Sequence, residues 1–387
     1  MRRFIGIAIP FLFSSVANAQ SSVTLYGLLD VGLGFTSNTK GHGTIQEQSG
    51  YLQGSRWGLK GVEDLGGSNQ AIFTLENGFS ISNGAPLGNG SQIFSRVAFV
   101  GLQNSNYGAI TFGRQYEPMV DVVGPLTANG AYGGYIFTHP FDNDNTDRTF
   151  RLSNSVKYTS SKFAGFQFES IYGFSNQPGG FSQNRAYGAG MSYDGGALSI
   201  AAGCFQSDNA NSTAIGALPS STAVPTYMNG NFASERQRTW GVASRYTVGS
   251  LSLGAAYTHT SLDAPTSSFY FGTFPTGTAP QTLRFGNYEV SAAYYFTPAF
   301  YGVAMYAYTE AQDSLNGVVS RPHWNHGALL FGYQLSKRTK VYAAAAYLNL
   351  GGAVSGTPFG TAYQTGSAGP SDARSQVVAR VGILHLF

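Results

Sequence analysis

The sequence predicts an all-β fold, a 16-stranded antiparallel transmembrane β-barrel. Three observations predict it: apolar and polar residues alternate with period two, the turns between these runs come in two lengths, and only 11% of the 387 residues are charged. Alternation with period two marks a strand whose two faces meet different surroundings. A charged fraction under half the roughly 25% of an average soluble domain disfavours an ordinary cytoplasmic enzyme. Gly is abundant, at 51 residues, but 42% hydrophobic and 14% aromatic residues supply far more buriable surface than disordered chains carry. The formal net charge of +3 leaves no excess of positive charge to attract nucleic acid.

Residues 1–19 read as an export signal: Arg2 and Arg3 precede an apolar stretch from 4 to 13, and Ala17-Asn18-Ala19 follows as a cleavage site. Ten apolar residues are too few for a spanning helix, which needs ~20. Residues 20–387 are therefore expected to be the mature barrel. Loss of Arg2 and Arg3 from the 22 basic residues leaves 20 against 19 acidic ones, a nearly neutral chain. The single Cys204 allows no internal disulfide, so stability must come from elsewhere.

Along the chain, the first strand is clearest over residues 23–33, where Val23, Leu25, Leu29, Val31 and Leu33 share one parity and Thr24 and Asp30 the other. Trp57 and Leu59 alternate with Arg56 and Lys60, Phe166 and Phe168 with Gln167 and Glu169, and Trp240 and Val242 with Thr239 and Arg245. The pattern persists through Val377, Ala379, Val381 and Ile383 to Phe387. Short turns fall near residues 63–67, 103–106, 160–162, 194–196, 248–250, 297–298 and 336–338, and long connections near 37–54, 81–91, 117–150, 175–184, 207–236, 261–284, 311–323 and 351–372. Eight long and seven short connections join sixteen strands of about ten residues, the segment length and loop asymmetry of a bacterial outer-membrane barrel. Two soluble sandwiches in tandem would share the strand spacing. They would not gather Tyr and Phe near the ends of the runs, as the interfacial girdles of a membrane barrel do.

Several motifs in fixed order carry a family resemblance. They are Ser22-Val23-Thr24-Leu25-Tyr26-Gly27, Ser55-Arg56-Trp57-Gly58-Leu59-Lys60-Gly61-Val62-Glu63-Asp64-Leu65-Gly66, Arg96-Val97-Ala98-Phe99-Val100-Gly101-Leu102, Phe112-Gly113-Arg114-Gln115-Tyr116, Asn154-Ser155-Val156-Lys157-Tyr158 and the closing Val381-Gly382-Ile383-Leu384-His385-Leu386-Phe387. Together they resemble the general porins of the Gram-negative outer membrane, best of all the β-proteobacterial branch. The resemblance implies a homotrimer in outer-membrane lipid, each copy with its own water-filled pore for small hydrophilic solutes and ions. It also implies that the third long connection, residues 117–150, folds into the pore, where Gly124, Gly130, Gly133 and Gly134 give it freedom to bend. Motif by motif, Arg56, Arg96 and Arg151 fall at the positions of the family's basic wall, with Glu117 and Asp121 as facing acids, and Phe387 is the outer-membrane signature residue. Leu384 and Leu386 depart from the basic residues often found near the family's chain end.

Parity reaches the same residues independently. Arg56 and Lys60 oppose Trp57 and Leu59, Arg96 opposes Val97 and Phe99, and Arg151 and Lys157 oppose Leu152, Val156 and Tyr158. A lipid-facing Arg at mid-bilayer costs ~2 to 4 kcal/mol, so the basic groups point inward. Arg56, Lys60, Arg96 and Arg151 against Glu117 and Asp121 lean towards weak anion selectivity. Asp142, Asp144 and Asp147 could reverse that balance. No catalytic residue, cofactor or metal is expected: G-x-S-x-G and H-E-x-x-H are missing, the run 142–147 lacks the Gly and Glu of a calcium loop, and His323 and His326 read as solvated loop-edge residues. A substrate-specific channel, with Tyr132 and Tyr135 contributing aromatic contacts, and an adhesin-type barrel working through its external loops are the alternative readings.

Overall fold

The computed structural model describes residues 22–88, 92–208, 216–218 and 224–387. The expected export signal lies outside the described residues. Eighteen strands form one sheet, which closes where Ser22–Thr39 pairs with Ser375–Leu386. Two of the eighteen are not staves of their own. His42–Ser49 and Arg56–Gly66 lie end to end along the same edge of Ser22–Thr39 and form one interrupted stave. Val318–Ser320 only extends the hairpin that leaves Phe300–Leu315. The ring therefore has sixteen antiparallel staves, and among the described residues closure gives every stave two neighbours, which keeps strand edges from meeting lipid.

The expected long connection at residues 37–54 is corrected by this arrangement. The chain reverses at Lys40 and Gly41, whose φ of 52° and 90° suit a tight turn, and returns as His42–Ser49. That strand carries His42, Gln46, Glu47 and Gln48 and lacks a lipid-facing apolar stripe, so alternation did not mark it. The stave breaks only at residues 50–55, and there Asp30 replaces the missing ladder partners. Leu52 N and Gln53 N donate to its carboxylate at 2.6 and 2.9 Å, and Tyr342 OH donates at 2.7 Å. Arg380 lies 3.7 Å away. One buried carboxylate thus ties the first stave, the interruption and the last two staves together.

The two faces follow the predicted parity. On Arg236–Val248, Trp240 and Val242 are each 45% exposed, while Thr239 and Ala243 are 2% and 3% exposed. Cys204, two and four residues from the exposed Ala202 and Ile200 in the same alternation, shares their outward face. Residues 300–308 and 341–348 are apolar on both parities, so alternation assigns them no face; in the structure Val303, Met305, Ala307, Ala344 and Ala346 are buried inward, and Tyr306 and Tyr347 are exposed outward. Their inner side is apolar because it is covered by protein, chiefly Ala128, Ile136 and Phe137. Parity fails twice among the residues named. Val97, expected outward with Phe99 opposite Arg96, is buried and stands across the ladder from Glu76, while Val100 and Leu102, of the other parity, are exposed; Arg96 reaches the interior from just before this strand. Leu152 was expected outward with Val156 and Tyr158, yet it is fully buried beside Phe150 and Ile171. Asn154 between them has φ 51°, and the ladder to the preceding stave shifts between Gly113 and Gln115. Such an irregularity moves every residue beyond it to the other face.

Candidate functional site

Between Gly108–Gln115 and Leu152–Thr159 the chain makes its longest excursion, residues 116–151, built of short helical turns. It supplies residues to all three apolar clusters of the interior: Ile136 and Phe137 against Val303, Met305 and Leu330; Met119 and Val123 against Phe205 and Ala243; and Phe141 against Phe285, Trp324 and Phe359. Gly134, with φ 50°, passes so close to Tyr51 O that a Cβ would lie 1.9 Å from it. No other residue fits there.

Polar anchors reinforce these contacts. His139 Nδ1 lies 2.8 Å from Asp144 Oδ2, and its Nε2 lies 3.4 Å from Glu289 on the wall. Burial disfavours charge on His139, but Asp144 and Glu289 outweigh it and raise its pKa to about 10. Thr258 donates to Asp144 at 2.5 Å, Thr260 to Asn143 O at 3.0 Å, and Ala128 N to Glu289 at 2.8 Å. Asp142 accepts from Asp147 N and Thr149 N at 2.9 and 3.1 Å. Asp142 and Asp144, acids that the sequence alone reads as solvated loop residues, are instead fully buried, and their carboxylates are occupied by the chain's own donors. His326 is likewise not a solvated edge residue. It is 1% exposed and turned inward on His323–Gln334.

The predicted basic residues divide into two groups. Arg56, Arg96 and Arg151 come together. Glu76 lies 3.5 Å from Arg56 and 2.6 Å from Arg96, and Tyr116 OH accepts from Arg96 at 3.0 Å while its ring lies under the Arg151 guanidinium, 4.6 Å from the centroid. Arg148, which sequence reasoning missed, joins Arg56 and Arg96 in lining one small cavity with Asp147, Tyr135 and Tyr227. Lys60 stands apart, exposed and 5.6 Å from the Tyr26 ring.

The predicted acids do not face this cluster. Glu117 is fully buried, accepts from Met119 N at 2.5 Å and Asn145 at 2.9 Å, and is pushed up to about 8 by burial. It fastens the start of the excursion and presents no charge to solvent. Asp121 pairs with Lys157, which also lies 3.1 Å from Glu169. Lys157 had inward parity, but its two acidic partners could not be read from spacing. Arg114, inside a quoted motif, donates to Met228 O, Ser95 O, Asn229 and Ser153, so its donors hold backbone and loop together. Phe387 pairs with Gly27 through two backbone hydrogen bonds of 3.1 Å and thus helps seal the barrel.

A closed sixteen-stave barrel with an apolar coat outside and charged side chains inside belongs to the class of outer-membrane channel proteins. The chain belongs to the Gram-negative porin family, whose pattern matches residues 6–353. An outer membrane porin protein of Bordetella pertussis is 30% identical over 373 residues, covering 87% of this chain and 91% of that one. Among solved structures, the anion-selective porin from Comamonas acidovorans superposes with a TM-score of 0.71 at 24% identity, covering 95% of this chain and 100% of that one. OmpT of Vibrio cholerae, in a trimer form, superposes at 0.63 with 16% identity over 95% and 99%. The protein is an outer-membrane porin that forms a channel; its family is one of channels, and fold and membership together account for the barrel and its inward charges.

Proposed function

We propose that the channel passes ions and small hydrophilic solutes by passive diffusion, with a weak preference for anions, and that residues 116–151 form its constriction. The observation that carries this reading is the arginine cluster: Arg56, Arg96, Arg148 and Arg151 gather around two carboxylates, Glu76 and Asp147. A ring of surplus charge of one sign in a narrow aqueous passage sets ion selectivity. The anion-selective character of the Comamonas acidovorans porin points the same way. The trimer form of OmpT supports a homotrimer here. Residues 1–19 are proposed to be removed on export, leaving 20–387 as the barrel.

Planar-bilayer recording in a KCl gradient tests this. The reversal potential is expected on the anion side, and replacing Arg56 and Arg148 together by Gln is expected to move it towards the cation side. An unchanged value in the double variant would remove the cluster from the ion path.

Asp147 makes the preference pH-dependent. Burial pushes its carboxyl up to about 7, against the opposing effects of Thr138, Arg148 and Arg151. A carboxyl with a raised pKa is neutral below that value and charged above it. Anion preference is therefore expected to strengthen as pH falls from 8 to 6, and Asp147→Asn is expected to show the low-pH selectivity throughout. Equal pH responses in the two proteins would assign the effect to another group.

A further inference from the structure

At the end of the barrel where the long connections gather, a cavity of about 570 Å³ is lined by Tyr135, Tyr227, Phe269, Tyr270 and Tyr363. Their rings form a linked series: Tyr135 and Tyr227 share a hydrogen bond of 3.2 Å, Tyr227 and Phe269 lie 5.5 Å apart, Phe269 and Tyr270 5.1 Å, and Tyr270 and Tyr363 6.5 Å. Phe269 is 37% exposed, and the four tyrosines are half-buried, so all five keep ring surface towards the cavity. Four residues, Gly50, Gly54, Tyr135 and Tyr227, also line the small cavity of Arg56, Arg96 and Arg148. The aromatic chamber therefore opens directly onto the arginines.

We propose that this chamber binds aromatic monocarboxylates, with the solute's ring against Tyr227, Phe269 and Tyr270 and its carboxylate towards Arg56 and Arg148. The inference rests on the anion-conducting reading above and adds a solute class to it. Two features of the lining favour this class. Edge-to-face and tilted ring pairs leave positions where a further aryl ring can pack in the same way, which a saturated ring of equal size cannot reproduce. A planar guanidinium matches a carboxylate through paired hydrogen bonds, and Arg148 has no carboxylate within ion-pair distance among the described residues. The rest of the lining is mainly Gly and Ser with one acid, Glu47, and aromatic rings beside a few placed polar groups are a usual form of small-molecule site.

Single-channel recording in KCl tests the proposal with four added solutes: benzoate, cyclohexanecarboxylate, benzyl alcohol and maltose. Benzoate is expected to block current transiently at a concentration about three- to tenfold lower than cyclohexanecarboxylate, from the added value of ring contacts. Benzyl alcohol and maltose are expected to leave the current unblocked in that range. Phe269→Leu keeps apolar bulk without a π face, and it is expected to remove the difference between the two acids. Equal block by both acids in the unaltered protein, or block by maltose at the benzoate concentration, overturns the proposal. A cation-side reversal potential in KCl alone would instead sink the underlying anion reading, so the two failures are distinguishable.

Discussion

Replacing Asp144 by Ala is expected to turn a steady channel into a noisy one with larger conductance substates. Asp144 is fully buried and accepts from His139, Thr146 and Thr258. His139, raised to about 10, is charged at neutral pH, and without Asp144 it retains only Glu289 at 3.4 Å. Breaking one side of a buried ion pair costs ~3 to 5 kcal/mol, a shift of about two to nearly four orders of magnitude in the docked population of residues 116–151. Among the contacts that remain, Ile136 and Phe137 each bury a side chain worth ~1.5 to 3 kcal/mol. These terms are comparable, so the connection loosens without leaving the wall, and fluctuation is expected in place of a permanently wide pore. Adding Phe137→Ala is expected to convert the substates into one stable, larger conductance. Unaltered conductance and noise in the Asp144 variant would show that the apolar contacts alone hold the segment. The sign of the pH dependence follows from the raised His139 value: the ion pair is present at neutral pH and is lost as pH rises through about 10.

Asp30→Ala is expected to lower the temperature at which the folded barrel shifts to its unfolded gel mobility by roughly 10 °C, taking ~3 to 5 kcal/mol for a buried charge stripped of its network. Asp30 is 0% exposed, and its loss leaves Leu52 N, Gln53 N and Tyr342 OH without their acceptor and Arg380 without its buried counter-charge. Asp30→Asn retains one acceptor oxygen and is expected to fall between. A transition unmoved in both variants would mean that water replaces the carboxylate at residues 50–55. The expected loss is larger than for any surface pair of this barrel, such as Lys162 with Asp194 at 3.7 Å, since exposed pairs contribute ~0 to 1 kcal/mol.

The lipid-facing half of the fold was legible because lipid writes it. Within the apolar belt every second residue must be apolar, and Leu25, Trp240 and Val242 declare their face by that rule. Where another influence prevails, the rule fails. His42–Ser49 has no apolar stripe and read as loop. Asn154 inserts a kink that no count of parity anticipates, so Leu152 was put on the wrong side. The inner wall was half legible. Arg56 showed inward parity, whereas Arg96 was counted inward against Val97, which itself faces inward, and parity cannot say which inward groups meet: that Glu76 joins them, that Tyr116 lies between Arg96 and Arg151, or that Glu117 spends its oxygens on Met119 N and Asn145. Those pairings depend on the path of residues 116–151, and that path is set by contacts with strands far away in sequence. His326 escaped for the same reason, since its burial is due to the segment packed over it.

The seam between Ser22–Thr39 and Ser375–Leu386 has a consequence for how the molecule comes into being. Its partners stand at opposite ends of the chain, so the last stave must be available before the first can find its second neighbour. A partial ring would expose two rows of unsatisfied amide and carbonyl groups to hydrocarbon. Assembly is thus bound to wait for the whole polypeptide, which must cross an aqueous compartment still unfolded. Alternation makes that transit feasible: no segment is continuously apolar for long enough to lodge in the first membrane it meets, and every polar residue that later faces the channel keeps the travelling chain in solution.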